Sequence, residues 1–217
     1  EPLDPGCVYD SNRYTLWSML QRLGVELLDL GVVRDDPAAL EAIFRLAAAS
    51  ADAVITSGGV SVGEADHTKQ VMASLGDVLF WRIAMRPGRP MAIGRIGNAP
   101  GAILFGLPGN PVAVMVTFYA FVRDALLAMG GADLEPLPLL RAASTEAIRK
   151  KPGRTEYQRG IVSQAADGSV QVTITGAQGS GILRSMSIAN GLVVLHHDQS
   201  NVAAGELVDV LPFDGLV

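Results

Sequence analysis

Asp52-Ala53-Val54-Ile55-Thr56 runs directly into Ser57-Gly58-Gly59-Val60-Ser61-Val62-Gly63. The first part is a short apolar run with the length of a buried strand. The second is rich in glycine and hydroxyl side chains, and a predicted helix follows from about Asp66 to Leu75. Strand, glycine-bearing loop and helix in that order form the unit of an open α/β sheet, whose ligands gather at the carboxyl ends of the strands. Glycine lets the backbone approach a ligand and aim N–H groups at an anion. The loop has neither the ending of a Walker loop nor the spacing of a dinucleotide fingerprint. Its plainer alternative is a tight strand-to-loop turn.

Upstream, Leu16, Met19, Leu20 and Leu23 have helical spacing, and any of Asp10, Ser11 and Asn12 serves as a cap for that helix. Val25 to Val33 reads as a buried strand, and Asp35-Asp36-Pro37 starts a second helix reaching about Ser50. Downstream, Val78 to Met85, Met91 to Arg95 and Ile103 to Leu107 read as strands, and Pro111 opens a helix to about Met129 that is apolar almost all round. Such a helix packs at the centre of a fold. Alternating strands and helices predict an α/β fold, a three-layer αβα unit with a mostly parallel sheet.

Gly130-Gly131, Pro136 and Pro138 mark a linker, and the pattern changes beyond it. Leu140 to Ile148, Tyr157 to Gln164, Val170 to Thr175, Gly191 to His197 and Glu206 to Leu211 read as short strands, with Ala166-Asp167-Gly168 as a hairpin turn. This divides the chain into an αβα domain over 1–133 and a small, barrel-like all-β domain over 134–217.

Several groups of residues carry chemistry. Gly106-Leu107-Pro108-Gly109-Asn110-Pro111 is a second loop between strand and helix, so two glycine-bearing loops would wall one crevice. Asn110 either caps the helix or presents its amide to a heterocycle. Glu64 and Asp66 are candidate Mg²⁺ ligands, because hard cations prefer carboxylate oxygen, and Asp66 doubles as a helix cap. Arg82, Arg86 and Arg89 fall within Trp81-Arg82-Ile83-Ala84-Met85-Arg86-Pro87-Gly88-Arg89-Pro90. A solvated hairpin tip is the ordinary fate of such a turn. Three guanidinium groups so close together in an acidic chain favour an oxyanion site. His67 is a lone histidine, and His196 and His197 fall on opposite faces of a predicted strand, which disfavours a shared metal.

The formal net charge of -5 and 6% aromatic content exclude a general nucleic-acid binder. Pro111 to Val122, the longest apolar stretch, is too short for a membrane span. One cysteine rules out an internal disulfide and fits a reducing, cytoplasmic setting.

Taken in order, Tyr9 to Asn12, Val33 to Pro37, Thr56 to Lys69, Trp81 to Pro90, Leu107 to Pro111, Gly153 to Gly160 and Thr175 to Ser180 resemble the molybdenum insertases of the bacterial MoeA type, which share this module with the E domain of gephyrin. The resemblance implies a molybdopterin-binding αβα domain of MogA-like fold followed by a small β barrel, the last two domains of the family's four. It implies a molybdopterin molybdenumtransferase that takes adenylated molybdopterin and molybdate, releases AMP and uses Mg²⁺. It places functional acids at Asp35 and Asp66 and cationic groups at Arg82 and Arg86. It adds functional positions at Arg159 and Ser180, with Arg89 and Pro90 at a molybdate-binding edge and Ser57, Gly58, Gly59, Ser61, Gly109 and Asn110 around the substrate. A cytoplasmic homodimer is the implied assembly of the full-length protein. The family usually has Lys where this chain has Arg82, Arg86 and Arg89, and often Ser where it has Ala113. A molybdopterin adenylyltransferase of the same αβα fold and a non-enzymatic, gephyrin-like scaffold are the alternatives.

Overall fold

The computed structural model describes residues 9–60 and 67–213. The run before the glycine loop is β1 (Ala53–Ser57). With β2 (Gly76–Arg82), β4 (Pro90–Ile96) and β5 (Ala102–Leu107) it forms a sheet in the order β1-β5-β4-β2. Helices α1 (Asn12–Arg22), α2 (Pro37–Ser50) and α3 (His67–Leu75) occupy the segments whose apolar spacing predicts them. Asp36 caps α2 by accepting the Ala39 N–H at 2.8 Å, and Pro37 takes the first helical position, where no N–H is needed.

The sheet corrects the expectation of mostly parallel strands. Only β1 and β5 run parallel; β5 with β4, and β4 with β2, are antiparallel. The connections decide this, because residues 83–89 and 97–101 are short links, and parallel neighbours need a long crossover. The predicted strand Val25 to Val33 is also corrected. It joins no ladder, and Leu28, Leu30 and Val32 are exposed. Asp29 accepts the Gly31 N–H at 2.9 Å, and Gly31 has φ +78°, so a local turn interrupts the extended run.

β5 shows how the sheet divides its cores, since successive residues point to opposite faces. Leu104 packs with Leu40, Phe44, Val54 and Met72 under α2 and α3. Phe105 and Leu107 pack with Val112, Val114, Phe118 and Val122 on the other side. Those four belong to α4 (Pro111–Thr117) and the π-helical turn Phe118–Val122, which α5 (Arg123–Met129) continues. The combined helix is long and apolar enough to cross a membrane, but its apolar residues form the centre of this core.

Beyond the linker, β6 (Leu140–Ser144), β7 (Thr155–Gln164), β8 (Val170–Ile174), β9 (Gly191–Leu195) and β10 (Leu207–Pro212) match the predicted strands closely. They pair in the order β7-β8-β6-β10-β9, and β9 pairs back to β7, which closes a barrel. The short helix α6 (Arg184–Ile188) packs beside β7. His196 and His197 lie past the end of β9 rather than within it, and His196 Nε2 meets Asp209 at 2.6 Å.

The stretch Val78 to Met85, read as one strand, is broken. It ends as β2 at Arg82 and resumes as β3 (Met85–Arg86), which pairs parallel with β7 of the barrel. The break falls where the Ile83 N–H turns to the Arg89 carbonyl at 2.8 Å. One core reinforces this junction, for Met186, Leu192, Val194 and Leu211 of the barrel join Phe105, Leu107 and Val112.

A shared core predicts coupled unfolding. Leu192→Ala, at a fully buried barrel position, lowers stability by about 2–5 kcal/mol. In urea titrations monitored separately in each domain, both transitions shift together; movement of the barrel transition alone contradicts the coupling. A second expectation concerns acid. The His196 hydrogen bond, and after it Arg141, hold the Asp209 carboxyl below the usual aspartate range. A depressed folded-state pKa gives stabilisation that is present above the unfolded value and lost as pH falls through the folded one. Asp209→Asn therefore lowers the urea midpoint at neutral pH, and its deficit against the wild type disappears under acid conditions.

Candidate functional site

The two glycine-bearing loops meet. The Gly58 N–H donates to the Leu107 carbonyl at 3.0 Å, extending the parallel β1–β5 ladder past the strand ends. A Cβ added to Gly109 would lie 3.6 Å from the Gly58 Cα, so the two backbones run almost in contact. Gly59 rests against Thr68 of α3. These loops open on a cleft of about 2190 Å³ whose lining includes Asn12, Asp35, Ser57, Gly58, Gly59, Gly109 and Asn110. Asp35 is exposed and Ser57 half-buried.

The start of α4 explains the state of Asn110. Pro111 has no N–H, and the Val112 N–H donates to the Ser180 carbonyl of the barrel at 3.1 Å. A barrel loop thus satisfies a donor that a capping side chain would otherwise take. Asn110 makes no side-chain cap bond, and its amide stays exposed beside the cleft.

A second cluster forms at the seam between the domains. Arg159 on β7 is 1% exposed, a burial that calls for partners on every donor. Its Nε donates to Ser185 Oγ at 2.9 Å, one terminal nitrogen donates to the Gly179 carbonyl at 3.0 Å, and its backbone N–H donates to Gln178 at 2.8 Å. None of these partners is an acid. Burial, and next the like charge of Arg86, bring the Arg159 pKa down to about 10, so the group stays cationic at neutral pH. Arg86 lies on β3, directly alongside β7. The arginine turn is pinned there by Gly88: its φ is +99°, and a Cβ would strike Thr117 of α4 at 2.5 Å. Arg82, Arg86 and Arg89 are exposed and form no salt bridge among the described residues, while Pro90 is half-buried.

The predicted residues therefore fall into two neighbouring stations. Gly58 and Gly109, with Ser57, Gly59 and Asn110 beside them in the two loops, meet where the loops touch, and Asp35 lines the same long cleft. The seam gathers Arg86 and Arg159, and the loop carrying Gln178, Gly179 and Ser180 ties it to the start of α4. Arg82, Arg89 and Pro90 flank the seam and do not line the cleft. Ser61, Glu64 and Asp66 lie outside the described residues. Among the described residues no three His, Cys, Asp or Glu side chains gather closely enough to hold a metal. Sequence reasoning missed Gln178 and Ser185 as supports of Arg159, and it read Asn12 only as a cap. In fact the Asp10 carboxylate accepts the Arg13 N–H at 3.2 Å, while Asn12 reaches Gly109 at 2.8 Å. A contact spanning so much chain leaves no local pattern.

Comparison with known proteins agrees with this arrangement. Residues 2–128 match the model of a probable molybdopterin binding domain, and residues 141–213 match the MoeA C-terminal region, domain IV. A molybdopterin molybdenumtransferase of Haemophilus influenzae is 41% identical over all of this chain and 53% of its own length. One from Nostoc is 37% identical over 97% of this chain and 49% of its own length. The chain spans about half the length of these curated relatives. A solved molybdopterin biosynthesis MoeA protein from Pyrococcus horikosii superposes with a TM-score of 0.78 at 30% identity, covering 98% of this chain and 50% of that one. With a molybdopterin-binding domain followed by a domain IV barrel, and with both held in one core, the chain belongs to the MoeA family of molybdopterin-binding proteins.

Proposed function

We propose that this chain forms the pterin-binding and barrel portion of a molybdopterin molybdenumtransferase, which inserts molybdate into adenylated molybdopterin and releases AMP. The observation that carries this reading is the adjacency of two unlike stations, a glycine-walled cleft and a cationic seam without acidic partners. A pterin with its phosphates needs close backbone approach and hydrogen-bonding amides, which Ser57, Gly58, Gly59, Ser61, Gly109 and Asn110 supply. Molybdate is an oxyanion that needs fixed positive donors, and Arg82, Arg86, Arg89 and Arg159, with Pro90 and Ser180 beside them, suit it.

The Mg²⁺ reading rests on donor chemistry. Asp35 lines the cleft, and a small hard cation binds through one or two carboxylates plus substrate phosphates. Glu64 and Asp66 are the proposed ligands, with Asp35 as a functional acid of the cleft. Bound there, the ion would offset charge on the phosphoanhydride as AMP departs. A homodimer is supported by the exposed Leu79, Trp81 and Ile93 of the β2–β4 hairpin, and a cytoplasmic setting by the single cysteine. The barrel's part in the site favours the insertase over an adenylyltransferase built from the αβα fold alone.

The full-length protein, incubated with adenylated molybdopterin and Mg²⁺, should release AMP only when molybdate is added. Release that ignores molybdate, or none at all, overturns the assignment. Arg159→Ala should weaken molybdate binding by about 10- to 100-fold, the range for losing a charged hydrogen bond, with pterin binding near the wild-type value. Equal loss of both ligands points to a folding defect, which Arg86→Ala, at an exposed position, then separates from loss of the oxyanion contact.

A further inference from the structure

Asn12 is the first residue of α1 and is 9% exposed. Its Nδ2 donates to the Gly109 carbonyl at 2.8 Å, which fixes the orientation of the amide. Its Oδ1 is the one buried side-chain atom among the described residues with no hydrogen-bond partner. Buried polar atoms are nearly always satisfied, so an orphan calls for a reason. Here the orphan belongs to a residue that lines the cleft together with Ser11, Gly109 and Asn110.

We infer that Asn12 is a substrate-positioning residue, whose Oδ1 accepts a hydrogen bond from the exocyclic amino group of a bound amino-pyrimidinone ring. This rests on the pterin reading of the cleft. With the amide held to Gly109, a ligand in the cleft that reaches this oxygen must bring a hydrogen-bond donor. A planar heterocycle with an exocyclic amino group and a ring N–H supplies that donor; a phosphate or another oxyanion does not, because it only accepts. The same amide holds Gly109 through Nδ2, so one side chain would both shape the loop and read the ring. The exposed Asn110 amide, next in the chain after Gly109, also lines the cleft and offers the ring a second polar contact. Since Oδ1 is unpaired in the free protein, the bond is made only in the complex and contributes fully to discrimination.

The test uses the full-length protein, a 6-substituted pterin and its 2-dimethylamino derivative, which lacks the exocyclic N–H donors. Binding is followed by pterin fluorescence. Wild-type protein should prefer the parent pterin by about tenfold or more, the value of one hydrogen bond that leaves its buried partner unpaired when absent. Asn12→Leu should bind both compounds at similar, weakened affinity while its thermal midpoint stays near the wild-type value. If Asn12→Leu weakens both compounds equally and keeps the preference, the residue merely supports the loop and the inference fails. If it binds both as the wild type does, the inference also fails. If the wild type itself binds neither pterin, the pterin reading of the cleft falls, and this inference falls with it.

Discussion

Pro111 removes one donor from the first turn of the central helix, and the Ser180 carbonyl of the barrel takes up the next, the Val112 N–H. That bond joins a loop of one domain to the helix start beside the cleft in the other. The rest of the site depends on it. It frees Asn110 from capping, holds the loop of Gln178 to Ser180 against the αβα domain, and through that loop sets the position of Arg159. The parallel pairing of β3 with β7 and the shared core act in the same direction. The barrel is thus a structural part of the site.

The electrostatics of the seam follow from burial without a counterion. Most buried arginines are neutralised by an acid. Arg159 instead spends its donors on a hydroxyl and a carbonyl, with Arg86 raising the local positive potential. Glu156, next to Arg86 in the β3–β7 register, is engaged by Arg154 at 2.7 Å, which keeps that carboxylate occupied. The seam is therefore left with positive charge that no carboxylate among the described residues pairs with. Arg at 82, 86 and 89 offers forked donors rather than point charges.

Much of this was legible in the sequence, for local reasons. The barrel strands were readable because each is a short run bounded by turn residues; Asp167 and Gly168 make the hairpin that their types predict, with the Asp167 carboxylate accepting the Ser169 N–H at 2.9 Å. Helix α2 was readable from Asp36-Pro37. The errors arose where tertiary pairing decides. Val25 to Val33 is apolar enough for a strand, yet Asp29 bonds locally to Gly31 and to Arg13 instead. Strand direction within the sheet depends on which neighbours the turns bring together, and the break between β2 and β3 depends on a partner strand some seventy residues away. Ser57, Gly109 and Asn110 could be placed at one crevice because both loops follow strands of one sheet. The role of Asn12 could not be, because its partner lies at the far end of the αβα domain's sequence.

The most direct measurement is a crystal structure of the full-length protein with molybdopterin and molybdate bound together. Density for the pterin against residues 57–59 and 109–110, with the oxyanion within hydrogen-bond reach of Arg86 or Arg159, is the predicted result. An oxyanion bound away from the interdomain seam, or a pterin seated outside the glycine-walled cleft, would contradict the account.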